Sequence, residues 1–313
     1  MDNVLYLAMP LFLVLLALEY ALLRRAQRAG RDVRGARRED TLASLAMGVG
    51  NVLVSGGVKV FLLVAYLWLY EHRIFDLGTG LGVWVLLFFA EDCTYYWWHR
   101  ASHEVRFLWA AHENHHSSEY YNYSTALRQS YTTPFTVPLF YWWLPLVGFH
   151  PLMIFTQVAI SLLYQFWIHT ETIGRMPRWF EAVFNTPSHH RVHHGANLEY
   201  LDRNHGGILI IWDRLFGTFE PERARVRYGL TTNIHTWNPL RIAFHEWAAL
   251  GRDFARAPDG RARLGVLFAA PGWSWDGSTK TARQLRAARD AEQRRLAGEP
   301  GGALAADASG LAS

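Results

Sequence analysis

The sequence is poor in cysteine, modest in charge and without an internal repeat. A single cysteine, Cys93, among 313 residues excludes an internal disulfide framework and any metal site built on several thiolates. It stands among apolar residues and reads as a small filler. Charged residues make up only 19% of the chain, and the net charge is +4. The arginines gather in Arg24–Arg38 and in the C-terminal tail rather than along a continuous basic face, so no nucleic-acid partner is expected. The first arginine cluster directly follows an apolar run, where the positive-inside rule accounts for it. The opening Met-Asp-Asn lacks the basic segment of a secretion signal, so the run after it reads as a retained anchor.

What is plentiful is apolar and aromatic: 50% of the residues are hydrophobic, 15% are aromatic, and 14 are Trp. The runs Val4–Leu23, Thr41–Tyr70 and Leu81–Trp98 approach or exceed the roughly 20 residues of a bilayer-spanning helix. Glycines Gly48, Gly50, Gly56 and Gly57 suit close helix packing in the second run. Thr133–Ile168 is apolar but interrupted by Pro134, Pro138, Pro145, Gly148 and Pro151, which predicts a helical hairpin dipping into the membrane and returning. The expected architecture is all-α and polytopic, with about four to five membrane helices and a histidine-rich helical cap on the cytoplasmic face. Residues 1–80 then hold the first membrane helices and the basic loop. Residues 81–275 hold a catalytic domain, and residues 276–313 form a tail that is partly disordered. The basic loop puts the N-terminus outside and both histidine clusters in the cytoplasm, in a membrane that the Ala-, Arg- and Gly-rich composition suggests is a bacterial inner membrane. Gly206–Phe219 is too short to span and is expected to pack beneath the site or rest on the membrane surface.

The chemistry is concentrated in two stretches. EDCTYYWWHRASHEVRFLWAAHENHH, Glu91–His116, carries His99, His103, His112, His115 and His116. SHHRVHH, Ser188–His194, carries His189, His190, His193 and His194. Histidines three or four apart share a helical face, so several imidazoles of each stretch can converge on one point. With 15 histidines in the chain, one H-x-x-H-H is expected by chance about 0.03 times, yet the pattern occurs twice. A solvated polar helix explains one such cluster more readily than two.

His99, His103, His112, His115, His116, His190, His193 and His194 exceed the roughly six ligands of one octahedral ion, so two metal ions are the economical reading. Spacing alone leaves Fe, Zn and Cu open. His189 is a further candidate, as ligand or as outer donor, and His169 emerges from the hairpin at the same level. Asp92, seven residues before His99, is placed to accept the N–H of a ligand imidazole, and Glu104 follows His103 directly. His72 and His150 fall on the opposite side in this topology, and His205, His235 and His245 lack cluster spacing, so all five read as ordinary structural or loop residues.

These residues resemble the fatty acid hydroxylase superfamily of membrane di-iron oxygenases, which includes the sterol desaturases. The likeness is nearest to its alkylglycerol monooxygenase-like members. It lies in the two histidine stretches, in LYQFWIHTE and GGILIIWDRLFGTF, and in Pro271–Trp273, covering about residues 85–275. The resemblance implies two iron ions, replaceable by zinc, that activate O2 against a lipid C–H bond with electrons from a donor. It also implies tetrahydrobiopterin as that reductant, although the sequence carries no separate motif for it. Glu104 falls where the pattern has glutamate, and His205 stands where the pattern leads us to expect tyrosine. Hydroxylases, desaturases and ether-cleaving members share these motifs, so the motifs fix the oxidant and not the bond. Hydroxylation is the leading expectation, of an O-alkyl glycerol first and of a fatty acyl or sterol-like lipid next, with desaturation the alternative. Two rivals belong to other classes. A histidine-ligated haem carrier leaves the H-x-x-H-H pairs unused, and a metal-binding or transport protein would place its ligands nearer the bilayer midplane.

Overall fold

Runs of Leu, Val and Ala with few helix breakers propagate as long helices once nucleated. Three do so here: α1 (Asn3–Arg28), α2 (Arg38–Glu71) and α3 (Leu81–Glu104). A fourth long helix, Pro151–Trp167, begins at a proline in its first turn, where the missing N–H costs nothing. The computed structural model describes residues 3–297, and among these every regular element is a helix. Extended pairing is limited to two isolated bridges among the described residues, Phe184 with Leu209 and Gly195 with Tyr228.

The all-α expectation holds. By length and composition, one helix among the described residues can cross a membrane, the 34-residue α2. Pro151–Trp167 is apolar but has only 17 residues. The reasons lie in the sequence. The second half of α3 carries Glu91, Asp92, His99, Arg100, His103 and Glu104. The proline-rich stretch before Pro151 breaks into Thr133–Thr136, Pro138–Tyr141 and Trp143–Val147. The expected tail begins with a helix, Ala282–Leu296, whose start is fixed by a capping box between Thr281 and Gln284. Residues 298–313, where disorder was expected, lie outside the described residues.

The helices meet in two places. At one end, Tyr66, Leu87, Tyr141, Leu144, Phe149, Met153 and Ile154 form a core between α2, α3 and the hairpin. The linker after α2 closes on it, with Ile74 N donating to Leu146 O at 2.8 Å. Gly148 sits there at φ 129°, and a Cβ would lie 2.2 Å from Phe75 O, so only glycine fits. Elsewhere the long helices expose apolar side chains: Leu53 is 73% exposed, Phe61 77% and Leu81 82%. Contiguous apolar exposure of this kind marks a lipid or partner surface.

The other end carries the histidines. The basic loop folds back onto them, with Arg34 Nε donating to Glu119 O at 3.1 Å and Gly35 N to Glu171 at 3.1 Å. Arg37 lies 5.3 Å over the Trp237 ring. Helices Pro239–Arg256 and Gly260–Phe268 brace the turn Arg106–Ala110, where Arg106 pairs with Glu246 and Asp253, each at 2.8 Å. Gly48 and Gly50 admit Leu127 and Tyr131 against α2, as small residues should, whereas Gly56 and Gly57 face open space.

One buried ion pair joins these parts. Arg128 and Asp40 are both essentially inaccessible and bonded to each other. Arg128 also donates to Ser44 Oγ (3.2 Å) and Ser117 Oγ (3.1 Å), and Ser118 Oγ donates to Asp40 at 2.7 Å. Removing one partner strands a charge in the interior. Arg128→Met is therefore expected to cost about 3–5 kcal/mol, and Asp40→Leu combined with Arg128→Met clearly less than the sum of the single losses. Denaturant unfolding of the purified protein in detergent measures both. Additive losses would show that the pair is not coupled.

Candidate metal centre

Four local devices deliver the imidazoles. The last two turns of α3 present His99 and His103, four residues apart on one face. After Val105 turns extended, the short helices Arg106–Ala110 and Glu113–His116 carry the chain past His112, His115 and His116. Pro151–Trp167 ends one residue before Ile168, which leads to His169. The helix Pro187–His193 starts at Thr186, whose hydroxyl accepts from His189 N, with Pro187 in the first turn.

The nine side chains gather into two groups. His99, His103, His112, His116 and His193 form one, and His115, His169, His190 and His194 form the other. Within each group the candidate ligand nitrogens lie within 4.8 Å of one another, and all nine residues are buried. The division cuts through each H-x-x-H-H. His112 and His116, four apart, share one group while His115 turns to the other. His190 and His194 likewise stay together and His193 crosses over. The groups adjoin, with the His116 and His194 rings stacked at 4.4 Å.

Hydrogen bonds fix where the protons sit. A carbonyl can only accept, so a neutral imidazole facing one carries its proton on that nitrogen and leaves the other bare. His99 Nδ1 faces His205 O at 2.8 Å, His169 Nδ1 faces Gln165 O at 2.7 Å and His193 Nδ1 faces Arg203 O at 2.9 Å. His115 Nδ1 faces Arg128 O at 3.3 Å. Burial first, and the neighbouring imidazoles after it, hold His99, His112, His115, His116, His190, His193 and His194 well below the ordinary histidine range. Burial pushes His169 down to about 4 against its bond to Gln165. These imidazoles are therefore neutral near pH 7.

Neutrality has a geometric consequence. His115 and His169 both carry their proton on Nδ1, yet their bare Nε2 atoms face each other at 3.2 Å. Two lone pairs at that distance repel unless a cation lies beside both. His103, His193 and His194 each hold a buried Nε2 with no hydrogen-bond partner. Unpaired polar atoms are rare in protein interiors, and a metal ion in each group would satisfy the atoms that belong to it. The donor set fits: neutral nitrogen ligands suit Fe, Zn, Cu or Ni.

The other expected site residues are placed differently. The Asp92 carboxylate accepts from Ile208 N (2.8 Å), Leu209 N (3.1 Å) and Trp212 Nε1 (2.8 Å), and from no imidazole. Glu104 points outward in an ion pair with Arg100 at 2.9 Å and is half exposed. His189 is in neither group, and its ring packs edge-on against Phe219 at 5.3 Å. Its position in the helix explains this, since it precedes His190 by about 100° of rotation. Of the flanking aromatics, Trp98, Trp109 and Tyr121 contact the imidazole rings, whereas Trp97 is 42% exposed.

Several supporting residues escaped the sequence reading. Asp213 accepts from His205 N at 2.7 Å and Gly206 N at 2.8 Å, so Asp92 and Asp213 together pin the loop whose carbonyl orients His99. Burial raises the Asp213 carboxyl to about 6 against these bonds. The stretch Gly206–Phe219 thus lies beneath the site, one of its two expected positions. Asp213 had a visible signal, an acid inside an otherwise apolar segment. His205, read as ordinary, is fully buried with its ring 5.0 Å from that of His103.

Comparison with known proteins follows the same residues. The family model described as fatty acid hydroxylase matches residues 84–218. Alkylglycerol monooxygenase of Homo sapiens is 43% identical over 240 residues, which are 76% of this chain and 53% of that protein. The Xenopus tropicalis protein of that name is 42% identical over the same length and the same shares. Ornithine lipid hydroxylase OlsE of Rhizobium tropici is 32% identical over 140 residues, 44% of this chain and 42% of its own. The chain spans about half the length of the human and Xenopus alkylglycerol monooxygenases. No solved structure matches significantly.

Proposed function

We propose that the protein, whose residues 84–218 match the fatty acid hydroxylase family model, is a membrane-bound, O2-dependent, non-haem dinuclear oxygenase that hydroxylates a lipid C–H bond. The observation that carries the reading is the pair of adjoining groups, five and four buried histidines, with bare Nε2 atoms facing one another. Iron is the metal of choice by the resemblance to di-iron oxygenases, and zinc is set aside because it has no redox chemistry to offer O2. Bound iron would supply the oxidising power. The chain's residues would hold it through nine imidazoles, with the tautomers of four fixed by backbone carbonyls, and keep the groups buried from water. His189 is not retained among the proposed ligands. Asp92 is a positioning residue for the loop 205–212, and Glu104 holds Arg100 rather than the reacting atoms.

An O-alkyl glycerol is the first substrate candidate, since the relatives named alkylglycerol monooxygenase match 76% of this chain. Hydroxylation next to the ether oxygen gives a hemiacetal, which falls apart to a fatty aldehyde and the free alcohol. The match to an ornithine lipid hydroxylase favours hydroxylation of another membrane lipid as the second reading. An electron donor is required, and tetrahydrobiopterin is the candidate by resemblance. We assign residues 1–80 to membrane helices and basic loop, 81–275 to the catalytic domain and 276–313 to the tail. The apolar exposure of α1, α2 and α3 supports a polytopic placement, and the basic loop's contacts with the histidine-bearing end support a cytoplasmic site; the Ala-, Arg- and Gly-rich composition supports a bacterial inner membrane.

Metal analysis tests the site directly. Wild-type protein is expected to hold two ions per chain, while His116→Ala and His194→Ala each lose one and keep the other. A stoichiometry of one in the wild type, or full retention in both variants, refutes the dinuclear centre. For the reaction, lipidomics of cells with and without the protein under labelled O2 is expected to show loss of an ether lipid with a matching fatty aldehyde. A new double bond would instead identify a desaturase. For topology, reporters fused to the two ends are expected to read outside at the N-terminus and cytoplasm at the C-terminus, and an outward C-terminus contradicts the proposed placement.

A further inference from the structure

His205 stands out among the residues that the proposed centre does not use. Its side chain is fully buried, and neither ring nitrogen has a hydrogen-bond partner of normal geometry. The Asp202 backbone approaches the ring without completing such a bond. Buried polar atoms are nearly always paired, and an imidazole with both nitrogens orphaned is the exception that asks for a ligand. Its ring centroid lies 5.0 Å from His103 and 5.7 Å from both His99 and His193. Those three belong to the five-histidine group, whose own ring spacings include 4.4 Å for His99–His193 and 5.3 Å for His99–His103. The backbone around it is fixed: N bonds Asp213, and O bonds His99. The ring is bound by nothing comparable. Its remaining aromatic neighbour is Tyr96, edge-on at 6.3 Å. Its nitrogens are not among those that already meet within 4.8 Å, so joining them takes a ring rotation that breaks no well-formed hydrogen bond.

We propose that His205 is a sixth imidazole donor for the ion of the five-histidine group. Six nitrogens complete an octahedral sphere. The four-histidine group then keeps the open positions, and the two ions have different tasks: one is enclosed by protein ligands, and the other receives exogenous ligands. This inference rests on the dinuclear reading above and gives it a direction.

Cobalt(II) separates the two, because six-coordinate cobalt absorbs weakly in the visible and five-coordinate cobalt several-fold more strongly. The full-length protein, stripped and reloaded with two cobalt ions, is compared with His205→Phe and with His205→Tyr, which keep a ring of similar size without an imidazole nitrogen. Both variants are expected to bind one of the two ions at least tenfold more weakly and to gain visible absorption at that ion. Azide is expected to shift the spectrum of one ion in the wild type and of both in the variants. Unchanged affinity, spectrum and azide response in both variants overturn the proposal. So does loss of both ions in both variants, which marks a role in folding the site rather than at one ion. A wild-type chain that takes up no cobalt defeats instead the metal reading on which the proposal stands.

Discussion

A proton on Nδ1, held by a backbone carbonyl, is the constraint from which the histidine assembly follows. Four such bonds run from His99, His115, His169 and His193 to the carbonyls of His205, Arg128, Gln165 and Arg203. Each leaves a lone pair on the inward nitrogen, and burial keeps the rings neutral. The carbonyls come from three separate segments, with Arg203 and His205 two residues apart on one loop, so the segments must be set independently. Arg128 is anchored by Asp40 at the start of α2. The His205 segment is anchored by Asp213 and, three residues on, by Asp92. Asn204 ties the Arg203 turn to His189 O and Glu220 O at 3.0 and 2.7 Å. Gln165 needs no such anchor, because its carbonyl belongs to the last turn of a helix. The long helices and the acidic pins can both be understood as means of holding four oxygen atoms in place.

This arrangement also explains where the negative charge is. Neither group includes a carboxylate. Asp40, Asp92 and Asp213 sit one step further out, bonded to Arg128 or to backbone amides, so they position the ligand set without entering it. Partners in the outer layer orient metal-binding imidazoles and tune their basicity. Here the outer layer is mostly main chain, which confers direction without adding a full charge beside the centre. Trp98, Trp109 and Tyr121 fill the space around the rings and limit the entry of water.

The site was more legible in the sequence than the fold around it. The spacing of His112 with His116 and of His190 with His194 states which imidazoles share a face, and the structure keeps those pairs together. What spacing does not convey is that the middle histidine of each box turns to the other group, because that depends on how two short helices are placed against each other. Asp92 shows the same limit. Its helical face was legible, but its partners, Ile208, Leu209 and Trp212, lie 116 to 120 residues away in sequence. His205 was read as an ordinary residue because its burial beside His103 depends on tertiary position and not on a spacing pattern. For the helices, apolar length predicted α2, but α3 combines an apolar half with a ligand-bearing half, and a window of composition averages the two.

That division of α3 bears on the bond attacked. Leu81 is highly exposed at the apolar end and His99 is buried at the other. At 1.5 Å per residue, the 18 steps between them cover about 27 Å, close to the thickness of a bilayer's hydrocarbon core. If α3 lies across the membrane as proposed, the imidazoles sit near the depth of the lipid headgroups rather than that of the chain ends. A carbon joined to a glycerol ether oxygen lies at that depth in an undistorted lipid. A mid-chain methylene does not, and it reaches the same point only if the chain folds back or the headgroup is drawn out into the cap. Oxidation beside the ether linkage therefore demands the smaller displacement of substrate, a physical reason for preferring an O-alkyl glycerol that is independent of sequence likeness.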